Sequence, residues 1–326
     1  MARIFIDGFE SGGGELWSDG NALIVSSSGL SMDGNYCLKV GTGEWRKKIL
    51  DVNYGSLYFA FLYHPWDVSA KAIIPFYDSA GVNILSLLRN TASYFIEIRR
   101  GSHTGTLLVT GNKTLNLNTT YLIEVYFKPL NTGGECTVKI DGAVCATYTG
   151  DTTEGLEEIR SFQFGPFGLY TYAHFDNLVV DDAAWIGNTR IQAVVPTGVG
   201  ASTQWTPSAG ANWECVDEKP PSDADYISTN VTNNLDLYTM SDLSGIIESV
   251  KCVQVQARCA YEGAPTPTHI QLACRSGGAN YFSADQSPPV SFGMPVCKIW
   301  ETDPATGAAW IKAGVDAAEF GVKATA

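Results

Sequence analysis

A chain of 326 residues with 45% apolar, 11% aromatic and 17% charged residues has enough material for two cores and is too apolar for a disordered tail. Its formal net charge of -13 repels phosphates and argues against nucleic-acid binding. Arg46-Lys47-Lys48 and Arg99-Arg100 are too short to reverse that and read as solvated strand ends. No run approaches the ~20 apolar residues that span a bilayer, so no membrane partner is expected.

The 33 glycines and 14 prolines, set between short alternating runs, predict an all-β chain rich in turns. Ile4-Phe5-Ile6 opens a strand that runs into the acidic turn Asp7-Gly8-Phe9-Glu10. It does so without the apolar run and small-residue site of an export signal, which predicts synthesis in the cytoplasm. Further strands are predicted at 57–64, 73–78, 82–89, 94–99, 106–110, 121–128, 136–140 and 143–149. Ser79-Ala80-Gly81, Arg100-Gly101-Ser102, Asn131 to Gly134 and Asp141-Gly142 mark turns between them. That many consecutive antiparallel strands predict a two-sheet jelly-roll sandwich closed by a last strand at 175–182.

Residues 185–218 form a seam rich in Trp, Pro and Gly after this first domain of 1–184. Trp185, Trp205 and Trp213 argue against a solvated linker, and the segment reads as a strap packed on something. The second domain, 219–326, is predicted as a smaller β-sandwich. Its elements are strands at 225–228, 236–239, 250–260, 269–275 and 279–282, a short helix at 242–249 capped by Asp242, and a closing strand–turn–strand unit over 300–323.

The eight cysteines form no CxxC pair and have no His at metal spacing. Cys136 and Cys145 flank the Asp141-Gly142 turn. In a plain two-residue hairpin they would oppose Thr147 and Val138, diagonal to one another and beyond disulfide reach, so all eight are read as reduced.

The segments Phe5-Ile6-Asp7-Gly8-Phe9-Glu10, Tyr121 to Phe127, Thr132 to Gly142 and His174 to Val180 together resemble the laminin-G-like, concanavalin-A-like jelly roll over residues 1–184. The resemblance implies a sandwich whose terminal strands are tied by a structural calcium ion. The matching acids are Asp7, Glu10 and Asp176, and the alternative is that they are plain turn and surface acids. The glucanases of that superfamily carry paired glutamates on one strand face, a pattern missing here; Glu97 and Glu124 stand alone and read as exposed face residues. Residues 191–217 and 300–323 resemble segments of uncharacterised structural proteins of tailed bacteriophages.

Familiar catalytic motifs are missing: there is no G-x-S-x-G, no HExxH and no P-loop. Gly198-Val199-Gly200 lacks the third glycine of a dinucleotide loop. The four histidines are isolated in sequence and read as hydrogen-bonded structural residues, and Cys215 has no nearby base. Together these features predict a non-enzymatic virion protein of a tailed phage, a capsid decoration or tail component. Its expected partners are other virion proteins and further copies of itself, met through Trp185, Trp205 and Trp213; the alternative for these indoles is a clasp within the chain. A second function class, binding of host-surface glycans, would use Trp45, Trp66, Tyr170 and Tyr172.

Overall fold

The computed structural model describes residues 3–30, 32–69, 72–165, 172–263 and 267–325. The chain is all-β apart from a few short turns, as its composition predicts, and divides into two compact units, Met1–Ile191 and Gln192–Ala326. Among the described residues no helix is long and apolar enough to cross a membrane.

Unit 1 holds β1 (Arg3–Asp7), β2 (Asp19–Gly20), β3 (Leu23–Ser26), β4 (Tyr36–Val40), β5 (Arg46–Tyr54), β6 (Leu57–Pro65), β7 (Ala72–Tyr77) and β8 (Asn83–Arg89). It continues with β9 (Phe95–Arg100), β10 (Thr106–Thr114), β11 (Tyr121–Lys128), β12 (Gly134–Ile140), β13 (Ala143–Gly150), β14 (Ile159–Phe164) and β15 (Ala173–Asp181). These pair into two antiparallel sheets. The larger runs β13-β12-β11-β6-β15-β4-β3, with β1 also on β15; the smaller runs β10-β9-β8-β7-β14-β5-β2. Between them lie Phe59, Phe61, Phe76, Phe127, Phe162, Phe164 and Phe175, all fully buried. Phe164 of one sheet stacks on Phe175 of the other with ring centroids 4.2 Å apart, which fixes which face of β15 points inward.

β15 is buried along its whole length. Its first residues pair with β4 and its last with β1, so two short strands share one side of it. Between these halves an extra residue bulges: Asp176 opposes Leu62, while Val179 already opposes Ala60. Asn177 in the bulge has φ of 48°, a left-handed conformation that asparagine tolerates better than most residues. Its side chain pins the surroundings, donating to Asp33 Oδ2 (2.7 Å) and accepting the N–H of Ile191 (3.0 Å).

Two local expectations change. The Asp141-Gly142 turn forms, with both residues at positive φ, and Ile140 opposes Ala143 across it. A bulge then slips the ladder by one residue, so that Val138 faces Ala146 and Cys136 faces Tyr148, not Thr147. Both thiols are buried and free. Glu97 and Glu124 are buried rather than exposed, because each is held by partners: Glu97 by Arg99 and Asn90, Glu124 by the N–H of Gly187.

Unit 2 contains β16 (Pro196–Thr203), β17 (Thr206–Pro207), β18 (Ile227–Ser228), β19 (Leu235–Met240), β20 (Val253–Ala257), β21 (His269–Ser276), β22 (Ala279–Phe282), β23 (Val296–Trp300), α1 (Lys312–Asp316) and β24 (Glu319–Thr325). A five-stranded sheet, β16-β19-β24-β21-β22, is joined by the two-stranded ladders β17-β18 and β20-β23. Ile270, Leu272, Cys274, Trp300, Trp310, Phe320 and Val322 form its core. The helix expected at 242–249 is not formed; the segment is irregular, with Gly245 at φ 78° and Ile246 fully exposed. The short helix lies instead at α1.

Candidate functional site

The ladder of the larger sheet gathers side chains that lie far apart in sequence. His174 of β15 opposes His64 of β6 on one side and Lys39 of β4 on the other. Directly opposed residues point to the same face, and since Phe175 points into the core, Lys39, His174 and His64 share the outer face. Two residues on, Trp66 and Tyr172 reach that same face, with the Trp66 N–H donating to Tyr172 O (2.8 Å). The rings make one cluster: His64 and His174 are 6.0 Å apart, and Trp66 lies 5.9 Å from His174 and 6.3 Å from His64. Trp66 is 54% exposed, whereas His174 is only 8% exposed. Beside them a depression of about 390 Å³ is lined by Gly29, His64, Trp66 and Asn118.

The polar accounting of this cluster is incomplete. His64 Nδ1 lies 3.0 Å from Thr120 Oγ1. His174 Nδ1, although buried, has no hydrogen-bond partner. Burial, followed by the nearby His64 and Lys39, pushes the His174 imidazole down to about 4, and burial lowers His64 as well. Both rings are therefore neutral at neutral pH, each able to donate at one nitrogen and accept at the other. A buried nitrogen left without a partner costs free energy that a ligand hydroxyl or carboxylate would recover.

Of the aromatic residues expected to serve a glycan, Trp66 and Tyr172 are thus brought together. Trp45 stands at the head of β5 in the other sheet, half-buried, its backbone tied to Asn21 and Ala22. Tyr170 lies outside the described residues. Sequence reading missed Lys39, His64, Asn118 and His174, because each stands alone in the chain and only the strand pairing joins them. The spacing of His64 and Trp66, two apart at the end of one strand, was the one local signal.

The three acids expected to hold calcium are all buried, but their oxygens are otherwise engaged. Asp7 accepts the Phe9 N–H and the Trp17 indole N–H, each at 2.7 Å. Glu10 accepts the N–H groups of Asn35 and Tyr36 at 2.9–3.1 Å. Asp176 Oδ1 accepts the N–H of Asn177, which leaves Oδ2 alone without a partner. Among the described residues no group of three or more His, Cys, Asp or Glu side chains is placed to hold a metal ion. The residues present do not make a calcium shell. Asp7 in particular serves as the anchor of Trp17. Burial pushes Asp7 up to about 7 against the pull of its two donors, and pushes Asp176 up to about 8, with Glu10, Asp33 and Asp7 adding to the rise.

The three seam tryptophans divide between the units. Trp185 packs in unit 1 against Tyr58 (5.4 Å) and Tyr126 (6.4 Å), with Lys139 Nζ 3.6 Å above its ring. Trp205 packs in unit 2, its indole N–H donating to Asn234 O (3.1 Å). Its backbone is held by Asp236, fully buried, which also accepts from Gln204 N, Asn212 Nδ2 and Tyr238 Oη. Trp213 is half-buried in the 3-10 turn Asn212–Cys215. The expected strap of 185–218 is therefore not one body: residues through Ile191 belong to unit 1. The short basic runs are tied down as well, Arg46 to the carbonyls of Gly20 and Ala22, Lys48 to that of Leu16.

No protein family and no curated protein matches the chain. Solved structures do. Cellulose-induced protein Cip1 aligns at 14% identity and TM-score 0.44, over 57% of this chain and 100% of that one. An endo-β-1,4-glucuronan lyase from Trichoderma reesei aligns at 14% identity and TM-score 0.40, over 55% of this chain and 95% of that one. The carbohydrate-binding module CBM66 from Bacillus subtilis aligns at 7% identity and TM-score 0.34, over 49% and 92%. Likeness at this level concerns the layout of strands and does not reach individual site residues. The jelly-roll sandwich stands, among neighbours that are carbohydrate-binding modules and glycan-active enzymes. The expectation of a non-enzyme has no support among the matches, which include lyases and a sialidase. Motifs such as G-x-S-x-G belong to other folds, and their lack here does not bear on this one.

Proposed function

We propose that this chain is a carbohydrate-binding protein that takes a saccharide on the outer face of the larger sheet of unit 1, with Trp66 as the stacking platform. The observation that carries the reading is the exposed Trp66 indole beside a depression of about 390 Å³, adjoining a buried imidazole whose Nδ1 has no partner. Sugars offer an apolar ring face and a rim of hydroxyls. An exposed indole covers the first, and His64, His174 and the Asn118 amide suit the second. Tyr172 extends the aromatic surface.

The virion role was expected from the resemblance of residues 191–217 and 300–323, from the missing export signal and from an all-β build without catalytic motifs, and the packing of Trp185 and Trp205 within their own units adds nothing to it. A glycan array probed with the full chain tests the binding reading. A saturable signal, competed by the free sugar and lost in Trp66→Ala, is expected; binding that survives that substitution unchanged would move the site elsewhere. Chromatography of the incubated oligosaccharides reports in the same experiment whether cleavage follows binding.

A further inference from the structure

We propose that the saccharide taken beside Trp66 is an acidic one, its anionic substituent received by a row of basic side chains, Lys39, His174 and His64, that crosses three neighbouring strands of the larger sheet. This rests on the reading of Trp66 as the sugar platform and adds the ligand's charge to it.

The row follows from register. Lys39 and His64 oppose His174 from either side, on the face that carries Trp66 and Tyr172. Lys39 directly opposite His174 helps hold that imidazole neutral, and an acid at this place would have supplied an opposite charge to the lysine. None is interleaved here. The charged and titratable groups acting on His174 are His64 and Lys39, both basic. Lys39 enters none of the ion pairs found among the described residues. Asp67, just beyond Trp66, accepts the backbone N–H and the hydroxyl of Ser69 at Oδ1. Asp176, next but one along β15, neighbours Glu10 and Asp33 rather than the row.

The rest of the molecule sharpens the contrast. Its net charge of -13 holds anions away from an average surface, and its other basic clusters are neutralised or tied to carbonyls. Arg99 pairs with Glu97 and Arg100 with Asp151. Lys39 is left as a cation without a counter-ion, flanked by two neutral imidazoles able to hydrogen-bond, beside an exposed aromatic ring and a depression large enough for a sugar unit. An anionic group there would give Lys39 its missing counter-ion, which a neutral sugar does not supply. The shared chemistry is an anionic substituent on a pyranose, either a uronate carboxylate or a sulfate ester.

Calorimetric titration of the full chain with three short oligosaccharides tests this: an oligogalacturonate, its methyl ester, and a sulfated galactan oligomer. At least one of the two anionic ligands is expected to bind about tenfold or more tighter than the neutral ester, and the preference should shrink as sodium chloride rises from about 50 to 500 mM. Which anion binds identifies the source of the charge. Lys39→Gln, at a half-exposed site, should lose most of the preference, the anionic ligand's affinity falling about tenfold, with an unchanged melting curve as the control for folding. Trp66→Ala should weaken every ligand alike. Equal binding of acid and ester, or a preference indifferent to salt, overturns this inference and leaves the platform reading intact. Failure of all three to bind overturns the platform reading and this inference with it.

Discussion

Trp66 on one side and Trp185 and Trp205 on the other are the same residue in opposite situations. Trp185 is wedged among Tyr58, Tyr126 and Lys139, and Trp205 has its indole N–H bonded and its backbone held by Asp236. Trp66 stands 54% exposed beside an imidazole nitrogen that has no partner. What separates a clasp from a site is therefore not aromatic content but whether the surrounding polar groups are already satisfied. A clasped indole spends its contacts on stability, while an open one keeps them for a ligand. The two situations should respond to substitution in opposite ways.

The largest effect is expected at the clasp of unit 2. Asp236 accepts four hydrogen bonds with no exposed surface, and Asp236→Ala leaves those donors unpaired, a loss of ~3–5 kcal/mol. Denaturant unfolding followed by tryptophan fluorescence should show unit 2 melting early while glycan binding by the full chain persists. Next comes the open ring. Trp66→Ala should cost ~2 kcal/mol or more of binding, roughly thirtyfold in affinity, with a melting temperature within about 2 °C of the parent. If Trp66→Ala instead unfolds unit 1, the indole is a clasp after all and the contrast fails.

Much of the fold was legible because alternation and turn chemistry act locally. The Asp141-Gly142 turn, the runs at 121–128 and 136–140, and the closing strand all follow from residues within a few positions of one another. The site was not legible for the complementary reason. Lys39, His64 and His174 become neighbours only once β4, β15 and β6 have paired, and nothing local announces that pairing. Bulges hid further detail. One extra residue after Asp176 in β15, and one near Cys145 in β13, displace the register by a step that alternation alone does not foresee. The helix expected at 242–249 is missing because a cap alone does not hold a helix, and Gly245, at φ 78°, breaks it within its first turn.

Trp185→Ala sharpens the comparison from the stable side. The ring is half-buried, flanked by two tyrosines and a lysine cation, and its loss should cost unit 1 ~2 kcal/mol from lost packing plus the cation–π contact. Glycan affinity should be unchanged within about twofold, because the clasp lies at the Tyr58 end of β6 and the open site at its His64 end. A loss of affinity with no loss of stability would make Trp185 part of the binding surface and erase the distinction.

The buried acids give a test that separates a proton from a cation at Asp176. Asp7, pushed up to about 7, and Asp176, pushed up to about 8, keep protons in the folded unit at pH values where the unfolded chain has released them. Folding therefore takes up protons. The stability due to these groups is complete below the unfolded value of 3.8 and falls as pH rises, through about 7 for Asp7 and about 8 for Asp176. In a chelator, the melting temperature of unit 1 should decline between about pH 5 and 8.5 and level off above. Asp176→Asn keeps the Oδ1 acceptor for Asn177 N–H without an ionisable group, so it should flatten the upper part of that decline and leave the part due to Asp7. Added calcium should change neither curve, because Asp7 and Glu10 already spend their oxygens on Trp17, Phe9, Asn35 and Tyr36. A decline that calcium abolishes in the parent but not in Asp176→Asn would give Oδ2 a cation instead of a proton, and would return Asp176 to the role the resemblance implies.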